Sequence, residues 1–367
     1  MGGQQEPELF IETPCIRSLE LSRAAGCNIF LKLENLQPSG SFKSRGIGTL
    51  MWHSLRESRT GRAHFYCSSG GNAGLACAVA AQTLGQPCDI FVPSLTPEHV
   101  LDKLSRLGAK PHRAGTDWPE ADAACRAAVQ GDPEGVYVPP FDHEWIWRGA
   151  STLVSELVVL ENRGFFPSSD GKARGSIDAI VCSVGGGGLL NGIMTGVELH
   201  YNILGSPEKE ERPMPTVIAI ETVGADSLAA AIRARAHAGI SAITSVATSL
   251  GAPRVSAETY RTEWSRLFLR SDPKLVSAVI PDAIAIAACA RFLDDERYLA
   301  EPACGATIAS AYNPSLLRRA LGFPQSTRAS DLEEAAWAKK NIVLVVCGGS
   351  SISMGMLARY KAQFGIE

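Results

Sequence analysis

The sequence has none of the cysteine or histidine spacings that commonly hold a metal ion. None of its ten cysteines forms a Cys-x-x-Cys pair, and its seven histidines show no His-x-x-x-His or His-Glu-x-x-His spacing. A zinc ribbon, a thioredoxin-type redox site and a zinc metalloenzyme therefore have no support. Several cysteines lie in apolar runs, which predicts reduced thiols that pack as small hydrophobic residues.

The sequence also has no excess of positive charge and no long apolar run. Its formal net charge is −3, whereas a nucleic-acid-binding domain is usually strongly basic. No uncharged stretch is long enough to cross a bilayer, and the first residues, MGGQQEPE, contain no basic region followed by an apolar core. We therefore expect a cytoplasmic protein that binds neither nucleic acid nor a membrane.

The sequence does contain enough apolar residues for a large core, arranged as alternating strands and helices. Its 367 residues are 45% apolar and 20% charged, which suits two domains. The alternation occurs in two series and is typical of parallel sheets with crossover helices. Strands are predicted at Ile29–Lys32, His64–Ser68, Asp89–Val92, Val136–Val138, Ile177–Val184, Thr216–Glu221 and Asn341–Val346. Helices are predicted at Ala73–Leu84, Pro97–Leu107, Pro119–Gln130, Ser151–Leu160, Leu189–Tyr201, Ser227–Ala238, Asp282–Asp294 and Ala306–Tyr312, and loops at 161–176, 205–215 and 322–331.

A lysine lies at a predicted helix start within the segment Pro38–Gly46, which reads PSGSFKSRG. Pro38 and Gly40 break the chain after a strand, so a helix can begin near Ser41. Lys43 then lies in the first helical turn, where backbone N–H groups and the helix dipole favour anions. A cation is disfavoured there, which would lower the lysine pKa as Schiff-base chemistry requires. The alternative is a solvated lysine at a helix start.

Small residues and an asparagine follow the strand predicted at His64–Ser68. Residues 67–74 read CSSGGNAG, and small residues allow a ligand to approach the backbone closely. The following helix start offers N–H groups to a carboxylate or phosphate, and Asn72 adds a side-chain donor and acceptor. An anion-binding loop is one interpretation of the segment, and the segment alone does not favour it. The alternative is a tight turn in which Asn72 caps the helix.

Four consecutive glycines, residues 185–188, lie between a predicted strand and a predicted helix. Four glycines cost much backbone entropy, which favours a cup of bare amides around an oxyanion over a merely flexible turn. No Gly-Lys-Ser/Thr follows, so the segment is not a Walker A loop, and Leu190 makes a G-x-G-x-x-G motif incomplete. We therefore predict a phosphate cup.

Cys347 ends a buried strand and is followed by two glycines. Its thiol could bind a ligand or act in catalysis. No histidine lies nearby in the sequence, and the alternative is a buried structural thiol.

Together these segments resemble the serine/threonine dehydratase family of pyridoxal-phosphate enzymes. The resemblance runs in order from Thr13 to Gly349, and PSGSFKSRG is its most specific part. The four glycines and the segment EPACGA at 301–306 add independent support. The resemblance implies a lyase that converts L-serine to pyruvate and ammonia, and L-threonine to 2-oxobutyrate, with pyridoxal 5'-phosphate as cofactor.

The same resemblance implies a fold and an assembly. It implies an α/β protein of two domains, each an open, mostly parallel sheet flanked by helices, as in fold type II pyridoxal-phosphate enzymes such as the tryptophan synthase β chain. Residues 1–37 and 144–367 would form the large cofactor-binding domain. Residues 38–143 would form the small domain, and a homodimer is expected.

The resemblance also implies residue roles. Lys43 would hold the cofactor as a Schiff base and take the substrate α-proton, Phe42 would cover one ring face, and Cys347 would face the ring nitrogen. The implied cofactor ligands are Phe42, Lys43, Asn72, Gly185, Gly186, Gly187, Gly188, Leu189 and Cys347, and the implied substrate ligands are Ser68, Ser69, Gly70 and Asn72. A monovalent cation, K⁺ or Na⁺, would lie near Glu221, Ala225, Ser227 and Leu250.

Other activities stay open at this point. A serine racemase needs a second base, which Ser69 could supply, and a biosynthetic threonine dehydratase would be expected to carry a further regulatory domain. Gly70 and Ser249 depart from residues often found in the family and could shift substrate preference. A non-catalytic metabolite-binding relative and a thiol hydrolase that uses Cys347 are the more distant alternatives.

Overall fold

The computed structural model describes residues 7–168, 174–201, 213–260 and 274–367. They divide into two units. The first unit comprises Leu36–Ala150 with the described residues before Thr13, and the second comprises Thr13–Asn35 with the described residues after Ala150. The sequence predicted a division at 37/38 and 143/144. The second division lies after Ala150, inside the helix Glu144–Asn162, where no turn residue in the sequence could indicate it.

The strands and helices are numbered along the chain. The strands are β1 (Cys15–Ser18), β2 (Asn28–Lys32), β3 (His64–Cys67), β4 (Cys88–Val92), β5 (Lys110–Arg113), β6 (Gly135–Tyr137), β7 (Ala179–Ser183), β8 (Thr216–Thr222), β9 (Leu275–Ile280) and β10 (Asn341–Val345). The helices are α1 (Leu19–Ala25), α2 (Lys43–Glu57), α3 (Asn72–Leu84), α4 (Glu98–Arg106), α5 (Trp118–Gln130), α6 (Glu144–Asn162), α7 (Gly188–His200), α8 (Ser227–Ala234), α9 (Asp282–Glu296), α10 (Pro302–Tyr312), α11 (Ser315–Ala320), α12 (Asp331–Trp337) and α13 (Met354–Phe364).

The sheet of the first unit has the strand order β5-β4-β3-β6, and every neighbouring pair is parallel. Its core packs Phe65 and Ile90 of the sheet with Ile47 of α2 and Leu75 of α3, all of which are buried. Parallel strands present their carboxyl ends at one edge of a sheet, where ligands of α/β proteins commonly bind. The loop after β3 therefore lies at the edge from which a site is expected.

The sheet of the second unit has the strand order β1-β2-β10-β7-β8-β9. Only β1 runs antiparallel to its neighbour among the described strands of this sheet, and the other pairs are parallel. Strands β7, β8 and β10 are buried along their whole length, as expected when helices cover both faces. The glycines and Cys347 follow β7 and β10, which are neighbours in this sheet.

The predicted α/β fold with mostly parallel sheets is confirmed, and several boundaries differ. Helix α8 was predicted to reach Ala238 but ends at Ala234, because Arg235 adopts a left-handed conformation with φ 50°. The alternation allowed a strand where β5 lies, but its bounds could not be predicted, because its sequence KPHR is polar and contains a proline, which strands tolerate mainly at sheet edges. Residues 169–173 and 205–212 of the predicted loops lie outside the described residues.

None of the helices in the described ranges has the length and apolar character needed to span a membrane.

Candidate active site

Lys43 is the first residue of helix α2. The chain reaches the helix through a turn in which the N–H of Gly40 donates to Gln37 O at 2.7 Å, and Gly40 adopts φ 78°. The Nζ atom of Lys43 donates to Pro140 O at 2.5 Å and lies 5.1 Å from the centre of the Phe42 ring. The sequence analysis predicted Lys43 in the first turn of a helix, and the structure confirms this placement.

Gly46, the last residue of the PSGSFKSRG segment, allows two helices of the first unit to pack closely. A Cβ atom on Gly46 would lie 2.5 Å from Ile146 O in α6, and a Cβ on Gly149 would lie 2.4 Å from Arg45 O. Backbone and Cβ atoms do not approach so closely, so both positions require glycine. Packing inside the unit explains this part of the motif without any ligand.

Ser41 is a residue that the sequence analysis did not single out. It is fully buried, and its hydroxyl has no hydrogen-bond partner among the described residues. The neighbouring hydroxyls are paired, since Ser44 Oγ donates to Ser39 Oγ at 2.8 Å. A buried hydroxyl without a partner is costly, which makes Ser41 a candidate ligand. Its position two residues before Lys43 was the only signal in the sequence.

Residues Ser68–Asn72, here called the serine–glycine loop, join β3 to α3. Gly71 holds the helix N-cap position and Asn72 is the first helical residue, so the alternative in which Asn72 caps the helix is wrong. A Cβ atom on Gly74 would lie 1.7 Å from Ser69 O, and the N–H of Gly71 donates to Ser69 Oγ at 3.3 Å. The first turn of α3 therefore lies directly against the loop backbone.

Gly70, at the centre of this loop, faces two valines. A Cβ atom at this position would lie 3.2 Å from Val92 Cγ1 and 3.3 Å from Val100 Cγ1. Both distances are shorter than ordinary contacts, so even alanine would require the valines to shift by a few tenths of an ångström. The space behind the loop is therefore filled by strand β4 and helix α4.

Side chains of the first unit form hydrogen bonds with both the hydroxyl and the carbonyl of Ser68. Its hydroxyl donates to Asp122, which also accepts from the Tyr137 hydroxyl at 2.6 Å and from Arg126 Nε at 2.7 Å. The indole Nε1 of Trp118 donates to Ser68 O at 2.7 Å. Burial of Asp122 opposes its ionisation, but these hydrogen bonds hold its pKa below the ordinary carboxyl range.

In the second unit, Gly188 begins helix α7 and the glycines 185–187 precede it. Gly187 has φ 94°, and a Cβ atom there would lie 2.0 Å from Thr259 Oγ1. A Cβ atom on Gly185 would lie 3.1 Å from Leu250 Cα. Close approach at both positions, together with the left-handed backbone of Gly187, explains why glycine occupies positions 185 and 187.

A buried polar group braces the glycine loop. Asn191 Nδ2 donates to Ser256 Oγ at 2.8 Å, Thr259 Oγ1 donates to Asn191 Oδ1 at 2.7 Å, and the N–H of Ser256 donates to Gly186 O at 3.0 Å. Leu189, in the first turn of α7, is buried. The sequence analysis missed these three polar residues, because contacts between distant segments leave no local pattern.

Cys347 follows β10, and its Sγ lies 3.5 Å from Ser183 Oγ at the end of the neighbouring strand β7. A hydrogen bond with the Cys304 thiol, together with burial, raises the pKa of Cys347 well above its ordinary value. The group is therefore a neutral thiol. A hydrolase that attacks through a Cys347 thiolate has no support from this environment.

The residues implied for a cation lie in the second unit, three of them in the turn from β8 to α8. The Glu221 carboxylate accepts the N–H groups of Leu228 and Ala229, each at 2.8 Å. Burial raises the pKa of Glu221 to about 8 despite these two bonds. Ser227 is buried, and its hydroxyl has no hydrogen-bond partner within the described ranges.

Ala225 is buried in the same turn, and Leu250 ends the short helix Thr248–Leu250. Across the part of the chain that the structure describes, no group of three or more His, Cys, Asp or Glu side chains could hold a metal ion. A monovalent cation with carbonyl ligands stays a prediction.

Comparison with known proteins identifies the family. A family model described as pyridoxal-phosphate dependent enzyme matches residues 8–348. The human L-serine dehydratase/L-threonine deaminase is 38% identical over 360 residues, which cover 98% of this chain and 96% of that protein. The mouse serine dehydratase-like protein is 39% identical over 356 residues, or 96% of this chain and 94% of that protein.

Among solved structures, a fungal L-serine ammonia-lyase from Rhizomucor miehei superposes with a TM-score of 0.78 and 31% identity. The match covers 97% of this chain and 99% of the fungal one. The lysine at a helix start, the serine–glycine loop and the glycine loop thus lie in a chain whose nearly full length matches one family. The chain belongs to the family of pyridoxal-phosphate dependent enzymes.

Proposed function

We propose that this protein is an ammonia-lyase that uses pyridoxal 5'-phosphate to convert L-serine to pyruvate and ammonia, and L-threonine to 2-oxobutyrate. One observation carries the proposal. The human relative named L-serine dehydratase/L-threonine deaminase is 38% identical over 98% of this chain. The fungal neighbour, named an L-serine ammonia-lyase, supports the same reaction.

The residues present fit the cofactor. The glycine loop has no side chains over its backbone amides, and none fits at Gly187, where a Cβ atom would clash with Thr259 Oγ1 at 2.0 Å. Its backbone amides precede helix α7, whose N-terminus favours a phosphate group. We propose that Gly185, Gly186, Gly187, Gly188 and Leu189 bind the cofactor phosphate. Lys43 would bind the cofactor covalently through Nζ, and Phe42 would lie against its ring.

When bound, pyridoxal phosphate supplies an electron sink that makes the α-proton of an amino acid acidic. Lys43 would remove that proton through its Nζ atom. In the structure this atom donates to Pro140 O at 2.5 Å. A neutral carbonyl gives the amine a fixed direction without adding a full negative charge beside it, which suits an amine that must gain and lose protons.

The serine–glycine loop would bind the substrate carboxylate. Its residues Ser69 and Gly70 come before the N-terminus of α3, where N–H groups attract an anion. Asn72 begins the helix and would contribute its side-chain amide to the substrate and the cofactor. The Ser68 hydroxyl donates to Asp122, so Ser68 would contribute through its backbone.

Cys347 would face the ring nitrogen as a neutral thiol. The pKa of this thiol is raised well above its ordinary value by its hydrogen bond with Cys304 and by burial. A neutral thiol stabilises a protonated ring nitrogen less than a carboxylate does, because it carries no charge. This environment would favour prompt loss of the β-hydroxyl over transamination.

Three further features are proposals of the same kind. A K⁺ or Na⁺ ion would bind beside Glu221 with Ala225, Ser227 and Leu250 as partners. The protein would act as a homodimer, which analytical ultracentrifugation would test. A cytoplasmic location would be tested by imaging the tagged full-length chain.

The test of the function begins with the purified protein and its visible spectrum. L-serine is then added, pyruvate is followed, and L-threonine is tested in the same way. We expect a visible absorption band from the bound cofactor and release of both 2-oxo acids. Lys43→Ala should lose the band and the activity, whereas Lys110→Ala, a lysine on the exposed edge strand β5, should keep both.

The alternatives give different results. A serine racemase would form D-serine from L-serine at a rate above pyruvate release, which chiral chromatography measures. A binding protein without activity would keep the absorption band and release neither product. Absence of the band after incubation with pyridoxal phosphate would contradict the proposal altogether.

A further inference from the structure

We propose that Asp122 is the positioning residue of the serine–glycine loop and fixes the backbone amides that meet the substrate carboxylate. The inference rests on the proposed function, because it assigns the loop to the substrate. Asp122 lies on helix α5, outside the residues that the motifs identified. It acts through Ser68 and is not itself a substrate ligand.

Helix α5 holds Ser68 from two positions one turn apart. Trp118 and Asp122 are four residues apart and therefore lie on the same helix face. Trp118 donates its indole N–H to the Ser68 carbonyl at 2.7 Å, and Asp122 accepts the Ser68 hydroxyl. Two contacts to different groups of one residue fix its orientation as well as its position.

The ionised carboxylate determines the direction of the Ser68 hydrogen bond. The pKa of Asp122 lies below the ordinary carboxyl range, so the group has no proton at neutral pH and can only accept. Ser68 has one hydroxyl proton and donates it to Asp122. The same hydroxyl therefore has no proton left for a substrate carboxylate, and the loop amides must supply the donors.

Asp122 is itself held in place by two other side chains. Tyr137 donates its hydroxyl to Oδ1 at 2.6 Å, and Arg126 donates Nε to Oδ2 at 2.7 Å. The Arg126 guanidinium lies 4.0 Å from the centre of the Tyr137 ring. The carboxylate thus has partners on both oxygens, which is the arrangement expected of a fixed anchor.

A loop that binds the carboxylate does so in the ground state and in the transition state alike. Loss of its anchor should therefore raise KM and leave kcat nearly unchanged. Loss of one charge-assisted hydrogen bond corresponds to about a tenfold effect. We expect Asp122→Asn to raise KM for L-serine about tenfold and to change kcat less than threefold.

The kinetic experiment compares four forms of the cofactor-loaded protein. They are Ser68→Ala, Asp122→Asn, the double variant, and the control Asp132→Asn, whose carboxylate accepts the Tyr66 hydroxyl at 2.8 Å away from the loop. The double variant should have the same KM as the single variant with the higher KM, because both changes remove the same hydrogen bond. The control should keep the KM of the unchanged protein.

Hydrogen–deuterium exchange of the full-length protein gives a readout that does not depend on activity. Asp122→Asn should speed exchange of the amides at Ser68–Asn72, whereas Asp132→Asn should leave them unchanged. This measurement stands even if the protein releases no pyruvate. Failure of the proposed function would then be visible in the product assay and would not affect the test of the anchor.

Two results would overturn the inference. The first is unchanged exchange of the loop amides in Asp122→Asn. The second is a pair of KM effects that multiply in the double variant, which would mean that Ser68 binds the substrate directly and Asp122 acts elsewhere. If Asp122→Asn does not fold, Trp118→Phe removes only the indole donor to Ser68 O, and it must raise both loop exchange and KM for the inference to stand.

Discussion

The hydroxyl of Thr259 occupies the space that a side chain at Gly187 would need, because a Cβ atom there would lie 2.0 Å from Thr259 Oγ1. Gly187 also has φ 94°, which side-chain-bearing residues rarely adopt. Both constraints exclude a side chain at position 187.

Gly187→Ala should destabilise the protein by about 2 kcal/mol or more and should abolish retention of the cofactor. Thermal unfolding and the visible spectrum after gel filtration measure the two effects. Gly355→Ala is the matched control, since a Cβ atom there meets no atom within 4 Å. An alanine at position 187 that leaves cofactor retention unchanged would show that this glycine does not shape the phosphate site.

Gly70→Ala should raise KM for L-serine a few-fold, because the new methyl group would press against Val92 and Val100 and displace the loop. The double variant Gly70→Ala/Val100→Ala should recover part of the loss by opening that space. Gly71→Ala is a control for stability, since its Cβ would meet only Ser69 Oγ at 3.8 Å. Steady-state kinetics with both substrates and thermal unfolding make the comparison, and no recovery in the double variant would argue against a steric cause.

The stability difference between the unchanged protein and Asp122→Asn should depend on pH. The pKa of Asp122 in the folded protein lies below the ordinary value of 3.8, so folding favours its ionised form. The contribution of ionised Asp122 to the free energy of unfolding is fully present above pH 3.8. It is lost as the pH falls through the lower pKa of Asp122 in the folded protein. Denaturant unfolding from neutral to acid pH should show the two proteins converging in acid, and a constant difference would contradict the assignment.

Cys347→Asp should increase transamination relative to elimination. A carboxylate at the ring nitrogen would stabilise its protonated form, prolong the life of the carbanion and permit reprotonation on the cofactor. The measurement is loss of the cofactor's visible band per pyruvate released. Cys347→Ser, which keeps a neutral group, should retain the original ratio. An equal ratio in the aspartate variant would mean that Cys347 does not set the ring protonation.

Added K⁺ should raise the unfolding temperature by a few degrees at saturation when the pH is above the Glu221 pKa of about 8, because the buried carboxylate is then ionised. Ser227, at the start of α8, offers a buried hydroxyl without a partner among the described residues. Tetramethylammonium at equal ionic strength is the control, since it is too large for a buried oxygen site. Glu221→Gln should lose the response to K⁺. Equal effects of the two cations would show a general salt effect and no specific site.

Features encoded within a short segment were predictable from the sequence. Lys43 at a helix start and the glycines before α7 were found because strand, turn and helix signals occur together within a few residues. The short strand β1 was missed, since four residues give too little pattern. Asp122 was also missed, because it contacts Ser68 across 54 residues of sequence, and such a pairing is decided by tertiary packing alone.

The close contact between Gly74 and the Ser69 carbonyl has a consequence for ligand binding. Any side chain at position 74 would occupy the space of that carbonyl, so the loop takes its shape as soon as α3 packs. Conformational freedom of the loop is therefore lost during folding and not when a ligand arrives. If this loop binds the substrate carboxylate, as proposed above, little of the binding free energy would be spent on ordering the backbone.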